Sequence, residues 1–306
     1  MTIISDNIFA SLPVELTIEV LSYLSPGELL SAVNASPCLG RDFLGSRDRI
    51  LLPRVQNFYL RFGQISAVPL IEFLSELRSI REQYTTIANI EKHVEPVFDA
   101  MRTFKQSETT KWRLGLSTLA KADMLIPEMR ELFVYHREIE GETPLESRNQ
   151  WLAFDQLPSR LIWLFARTYM VFECNCSMFH HPDGLMLKYR GTRGRGIFLG
   201  DEFLGDDLSE YPECDRSVFD KFCPLECLID KHYDVLDEVI LRLGGGQIPI
   251  EGQITLMHQR VPPFSYALAY QGYRYYLYVE GLVRNNGDLE SHMVDVVRIT
   301  GSTLCG

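Results

Sequence analysis

The residues best suited to chemistry gather in one stretch: Cys174, Cys176, His180, His181, Cys214, Cys223, Cys227 and His232. Thiolate and imidazole are the ligands zinc prefers, and a cysteine beside a histidine is also the usual pair for thiol nucleophilic catalysis. The spacing argues against both. Cys174-x-Cys176 and Cys223-x-x-x-Cys227 are not the paired Cys-x-x-Cys knuckles of a structural zinc site, and a long charged segment separates them. Free cysteine is common in reduced cores, so these are read as ordinary thiols, with no metal and no cofactor expected. Other catalytic templates also fail. The chain has no Gly-x-Ser-x-Gly elbow, no His-Glu-x-x-His and no phosphate-loop Gly-Lys-Ser/Thr, and Gly191, Gly194 and Gly196 stand in the wrong order for a dinucleotide fingerprint. The acidic run Asp201-Glu202 with Asp206-Asp207 lacks the alternating oxygen ligands of a calcium loop. A non-catalytic protein is therefore expected, with a zinc-containing enzyme as the alternative from another class.

Charge narrows the partners. The 306 residues carry 30 Lys+Arg against 41 Asp+Glu, a net charge of −11. Between Asp201 and Glu238 thirteen acidic residues face only Arg216, Lys221 and Lys231. Such a chain repels phosphate, so no nucleic-acid partner is expected; the basic patch Lys188 to Arg195 reads as a Gly-rich loop paired with the acidic stretch. The greasiest run, Leu161 to Phe172, is interrupted by Arg167 and is shorter than the roughly 18 to 20 apolar residues of a membrane span. It reads as a buried helix, and no membrane partner is expected. The opening residues lack a basic leader with an apolar stretch, and seven cysteines without one suit a reducing compartment, cytoplasmic or nuclear.

The elements that must position these residues follow the helical period. After Pro69, residues Leu70, Phe73, Leu74 and Leu77 fall at i, i+3, i+4 and i+7, an amphipathic helix with one buried stripe. Looser patterns run over Trp112 to Leu119, Met124 to Val134, Trp151 to Phe172 and Val218 to Leu243, the last stopped by Gly244-Gly245-Gly246. The segment from Tyr266 to Val279 admits two readings: a helix after Pro262-Pro263, or a strand through the alternation of Tyr273, Tyr275, Leu277 and Val279. Helix is preferred, with a short final helix over Leu289 to Ile299. No internal repeat of 20 to 50 residues is present.

The amino-terminal region is the most informative. Ser25-Pro26-Gly27-Glu28 spells a capping box with proline at the first helical position. Leu12-Pro13 opens an earlier helix with Glu15 in its first turn, where the helix dipole favours an anion, and Ser36-Pro37 opens a later one carrying Leu39, Phe43 and Leu44. Residues 12 to 52 thus read as three short helices joined by minimal turns. The first has two apolar sectors at about 100° per residue: Leu12, Leu16, Val20, Tyr23 and Leu24 in one, Val14, Ile18 and Leu21 in the other. One sector can pack on the neighbouring helices. The other must meet either the body of the chain or another protein, because units near 40 residues seldom stand alone.

Leu12-Pro13-x-Glu15-Leu16, Val20-Leu21-x-x-Leu24-Ser25-Pro26 and Leu29-Leu30-x-Ala32 together resemble the F-box, the helical module that attaches substrate receptors to the Skp-family adaptor of cullin-type ubiquitin ligases. Ala35-Ser36-Pro37 followed by Arg41, Phe43 and Ile50-Leu51-Leu52 is similar to the variant of many fungal F-box proteins; Phe43 stands near the place where the commonest pattern has a tryptophan. The resemblance implies a mainly α protein with a three-helix F-box module at 8–52 and a larger, irregular all-helical domain at 53–306. It implies a non-catalytic substrate receptor that binds the adaptor, and through it a cullin, and recruits an unidentified protein substrate. Leu12, Pro13, Leu16, Val20, Leu21, Leu24, Leu29 and Leu30 would supply the adaptor contact or the packing that shapes it. A protein that keeps the module but acts outside the ligase is the nearest alternative.

Overall fold

The computed structural model describes residues 12–62, 67–103, 114–140, 154–157, 159–181, 184–186, 271–285 and 287, with isolated positions between 228 and 269. Among them the all-helical expectation holds. The helices are α1 (Val14–Tyr23), α2 (Pro26–Ala35), α3 (Pro37–Gly45), α4 (Arg47–Phe62), α5 (Ala67–Gln83), α6 (Ile87–Thr103), α7 (Leu116–Glu140), α8 (Ser159–Phe179) and α9 (Tyr273–Arg284). A 3₁₀ turn at Phe154–Gln156 precedes α8. The described sheet is one antiparallel pair, with His180 opposite Leu185 and His181 opposite Gly184. The basic patch, the acidic run from Asp201, Cys214, Cys223, Cys227, the triple glycine and the final helix expected at Leu289 to Ile299 lie outside the described residues, as do residues 8–11.

Local signals start the first helices. Ser25 Oγ accepts from Glu28 N at 3.3 Å, and Glu28 Oε2 accepts from Ser25 N at 2.8 Å, which completes the capping box of α2. Ser36 Oγ accepts from Leu39 N at 3.5 Å and Pro37 occupies the first turn of α3. Pro13 caps α1 by its carbonyl alone, which accepts from Thr17 N at 3.1 Å and Thr17 Oγ1 at 3.3 Å.

Longer helices depart from the sequence pattern in instructive ways. The separate runs at Trp112 to Leu119 and Met124 to Val134 belong, from Leu116 on, to the single helix α7, which carries Pro127 inside it. A proline removes one ladder hydrogen bond, and burial of Leu119, Leu125, Ile126, Met129 and Leu132 outweighs that loss of about 3 kcal/mol. Pro69 sits in the first turn of α5 after Ala67 and Val68, where its missing N–H is unneeded. Of the tyrosine-rich segment, Tyr273–Arg284 is helical and begins after Gly272, while Tyr266 and Tyr270 lie outside the described residues; Tyr273, Tyr276, Val279 and Val283 are buried on one stripe, whereas Leu277, which a strand would have placed beside Tyr273 and Val279, is exposed.

α5 packs on α6, α7 and α8; α4 packs on α7 and α8; α2 lies along α7. One hydrophobic cluster runs from Ile18 and Leu29 through Phe62, Leu77, Met129 and Phe165 to Val283. Residues 52 and 53, the expected domain boundary, fall inside α4, and the amino-terminal helices share this core with the rest.

Candidate functional site

Two regions are chemically unusual: one face of α1, and a charged interior where α5, α7, α8 and α9 meet. α1 turns Thr17, Ile18 and Leu21 inward against α3 and α4. Opposite them Leu16, Val20 and Tyr23, at i, i+4 and i+7, are 48%, 43% and 82% exposed. Val14, which the sequence grouped with the inward sector, is also exposed. Leu44 and Leu52 add further exposed apolar groups on α3 and α4. A ten-residue helix that presents this much apolar surface to water is covered by nothing among the described residues.

The eight positions singled out in the sequence separate accordingly. Leu16 and Val20 are exposed and Pro13 stands exposed at the start of the helix, while Leu12, Leu24 and Leu30 are half-buried. Leu21 and Leu29 are fully buried within the chain.

A residue that the sequence did not flag holds α1 in place. Arg54 of α4 brings Nη2 to the carbonyl oxygens of Leu21 at 2.9 Å and Ser22 at 3.2 Å, and also to that of Leu24. These belong to the end of α1, which has no basic residue in its own last turn. A guanidinium there satisfies orphan carbonyls and complements the negative end of the helix dipole. Burial pulls Arg54 below its ordinary value and Asp123 opposes that pull. Arg54 and Asp123 line a cavity of about 280 Å³ between the end of α1, α4 and α7. No local pattern announces this latch, since donor and acceptors lie some thirty residues apart.

The charged interior centres on Arg78 of α5. It meets Glu128 of α7 with two bonds of 3.2 and 2.7 Å, Glu173 of α8 at 2.9 Å and the Tyr169 hydroxyl at 3.1 Å. Burial works against the Arg78 cation, but Tyr169, Glu173 and Glu128 outweigh it and hold the group well above its ordinary value. The Tyr169 hydroxyl in turn donates to Glu128 at 2.5 Å, and burial first, then Glu173, push its pKa up. Glu173 Oε1 accepts from Tyr273 N at 2.7 Å at the start of α9. Gly272 makes that approach possible: its φ is +84°, and a Cβ there would stand 3.1 Å from Glu173 Oε1. The Tyr273 hydroxyl bonds Glu131, which also accepts from Lys231 at 2.9 Å. Of these carboxylates, Glu173 is the one the sequence could have signalled, as a charge among Tyr169, Met170 and Cys176 on one helical stripe.

Among the described residues, Cys174 and Cys176 do not form a reactive site. Cys174 and Cys176 are free, buried thiols whose pKa values burial raises far above the ordinary one, so they stay protonated and poorly nucleophilic. His180 is driven down to about 4 by burial and the nearby Arg81 cation. Among the described residues no group of three His, Cys, Asp or Glu side chains could hold a metal ion, and no helix is long and apolar enough to cross a membrane. Comparison with family models, with curated proteins and with solved structures finds no match to this chain.

Proposed function

We propose that this chain is a substrate-receptor subunit of a Skp/cullin/F-box type ubiquitin ligase, with the exposed face of α1 as the seat of the Skp-family adaptor. The observation that carries the reading is the stripe of Leu16, Val20 and Tyr23, apolar and open to water on a helix whose other side is firmly anchored. Covering such a stripe gains about 25 cal/mol per Å² of apolar surface, which gives a partner helix or groove a reason to dock. The resemblance of Leu12 to Leu30 to an F-box supplies the identity of that partner. Residues beyond α4 would hold a protein substrate near the conjugating enzyme, and the chain would act by raising the effective concentration of a substrate lysine at a thioester elsewhere in the complex. No residue of this chain takes part in a chemical step on that reading, and its site of action is cytoplasmic or nuclear.

Co-expression with a Skp-family adaptor tests it. The intact chain is expected to co-purify with the adaptor, and a variant with Leu12, Pro13 and Leu16 replaced by serine is expected to lose it while keeping its helical circular dichroism. Equal recovery of the folded variant would reject the reading.

A further inference from the structure

Among the described residues, Arg81 of α5 is a largely buried guanidinium without a counter-charge. Among the described residues its polar contact is Nη1 to Sδ of Met186 at 3.4 Å. Cys176 beside it is a protonated thiol and His180 a neutral imidazole, so neither offers an anion. Burial has drawn Arg81 down to about 10, which leaves it a full cation at neutral pH.

The carboxylates nearby are committed elsewhere. Glu173 accepts from Tyr273 N with one oxygen and from Arg78 with the other. Glu82 is held by Arg274. All of these groups line a cavity of about 530 Å³ between α5, α8 and α9, in which Arg78, Arg81 and Arg274 face Glu82 and Glu173. Arg78 Nε is buried and has no acceptor, so the cavity wall holds a second unmet donor. The carboxyl-terminal side of the cavity is formed by Tyr275 and Tyr278 of α9, half-buried and exposed respectively.

An uncompensated buried cation is costly, and a fixed fork of guanidinium donors matches a planar or tetrahedral oxyanion. We infer that the α5/α8/α9 cavity is a binding site for an oxyanion, phosphate or carboxylate, borne on an aromatic or similarly flat group, with Arg81 as its charge partner and the α9 tyrosines as its apolar wall. The site lies apart from the α1 face, and its occupancy does not depend on what docks there. It gives a strongly acidic chain one place where an anion is drawn inward.

Calorimetric titration of the full chain in chloride buffer tests this with phenyl phosphate, benzoate and inorganic phosphate as probes. One-to-one, saturable binding of phenyl phosphate or benzoate is expected, with inorganic phosphate about tenfold weaker because it lacks the ring. Which of the two aromatic probes binds tighter identifies the head group. Arg81→Met, of similar length and without charge, is expected to weaken binding by at least about tenfold and to melt no lower than the natural chain in the absence of anions. Ser177→Asp, which sets a fixed carboxylate in the same cavity wall, is expected to abolish binding and serves should Arg81→Met fail to fold. Absence of saturable binding by any of the three probes, or undiminished binding in a folded variant, overturns the assignment.

Discussion

α1 and the Arg78 interior invert the usual distribution of side chains in opposite senses. On α1, apolar groups stand in water; beneath α5, charges stand in the core. The first arrangement costs the fold little to alter, because exposed side chains have no internal partner to lose. The second is costly to alter, because Arg78, Glu128 and Glu173 each depend on the others for their charge to be tolerated. The interior fixes four helices against one another, and the exposed stripe of α1 meets nothing among the described residues.

The sharpest way to break that comparison is at Arg78. Arg78→Ala leaves Glu128 and Glu173 buried without their cation, and a loss of about 3–5 kcal/mol in urea denaturation is expected. A loss below about 1 kcal/mol would mean that water already serves these carboxylates. Next comes the contrast within α1 itself. Leu21→Ala, on the buried side, is expected to cost about 2–5 kcal/mol, whereas Leu16→Ala, five positions away on the exposed side, is expected to change stability by no more than about 0.5 kcal/mol. Similar costs at both positions would dissolve the division of the helix into two faces.

Arg54→Met sharpens the comparison from the side of the latch. It deprives the end of α1 of its donor, and a loss of about 1–3 kcal/mol is expected by chemical denaturation, together with weaker adaptor binding because the end of α1 is no longer held. The smallest effect belongs to the capping box. The backbone bond with Ser25, then its side-chain bond, depress the pKa of Glu28 below the ordinary glutamate value, so its contribution is present above that value and is lost as pH falls through the depressed one. Melting curves of Glu28→Gln and the natural chain are therefore expected to differ slightly at neutral pH and to converge in acid.

The parts that were legible in the sequence are those whose physics is local. Ser25 to Glu28 spans one helical turn, so donor, acceptor and proline are all visible in four letters; the stripe from Leu70 to Leu77 is visible for the same reason. The two sectors of α1 were legible as surplus apolar surface, but which sector faces the core depends on where α3 and α4 lie, and Val14 went to the unexpected side. α7 read as two pieces because Ala120-Lys121-Ala122-Asp123 interrupts the run of large apolar residues, and the helix continues through that gap and through Pro127 because both sides of it are packed in the core. Arg54, Arg78 and Arg81 were illegible as functional residues, since each takes its meaning from groups that the fold brings together or, for Arg81, from the anion that no described residue supplies.

If α1 is the seat of a Skp-family adaptor, as proposed, its exposed stripe binds that adaptor without contributing to the fold. Titrating the purified adaptor into the natural chain and into Leu16→Ser/Val20→Ser/Tyr23→Ser, with urea denaturation of both, measures affinity and stability on the same molecules. At least a hundredfold weaker binding, about 2.7 kcal/mol, is expected at nearly unchanged stability. Undiminished affinity in the folded triple variant, or no binding by the natural chain, contradicts the proposal.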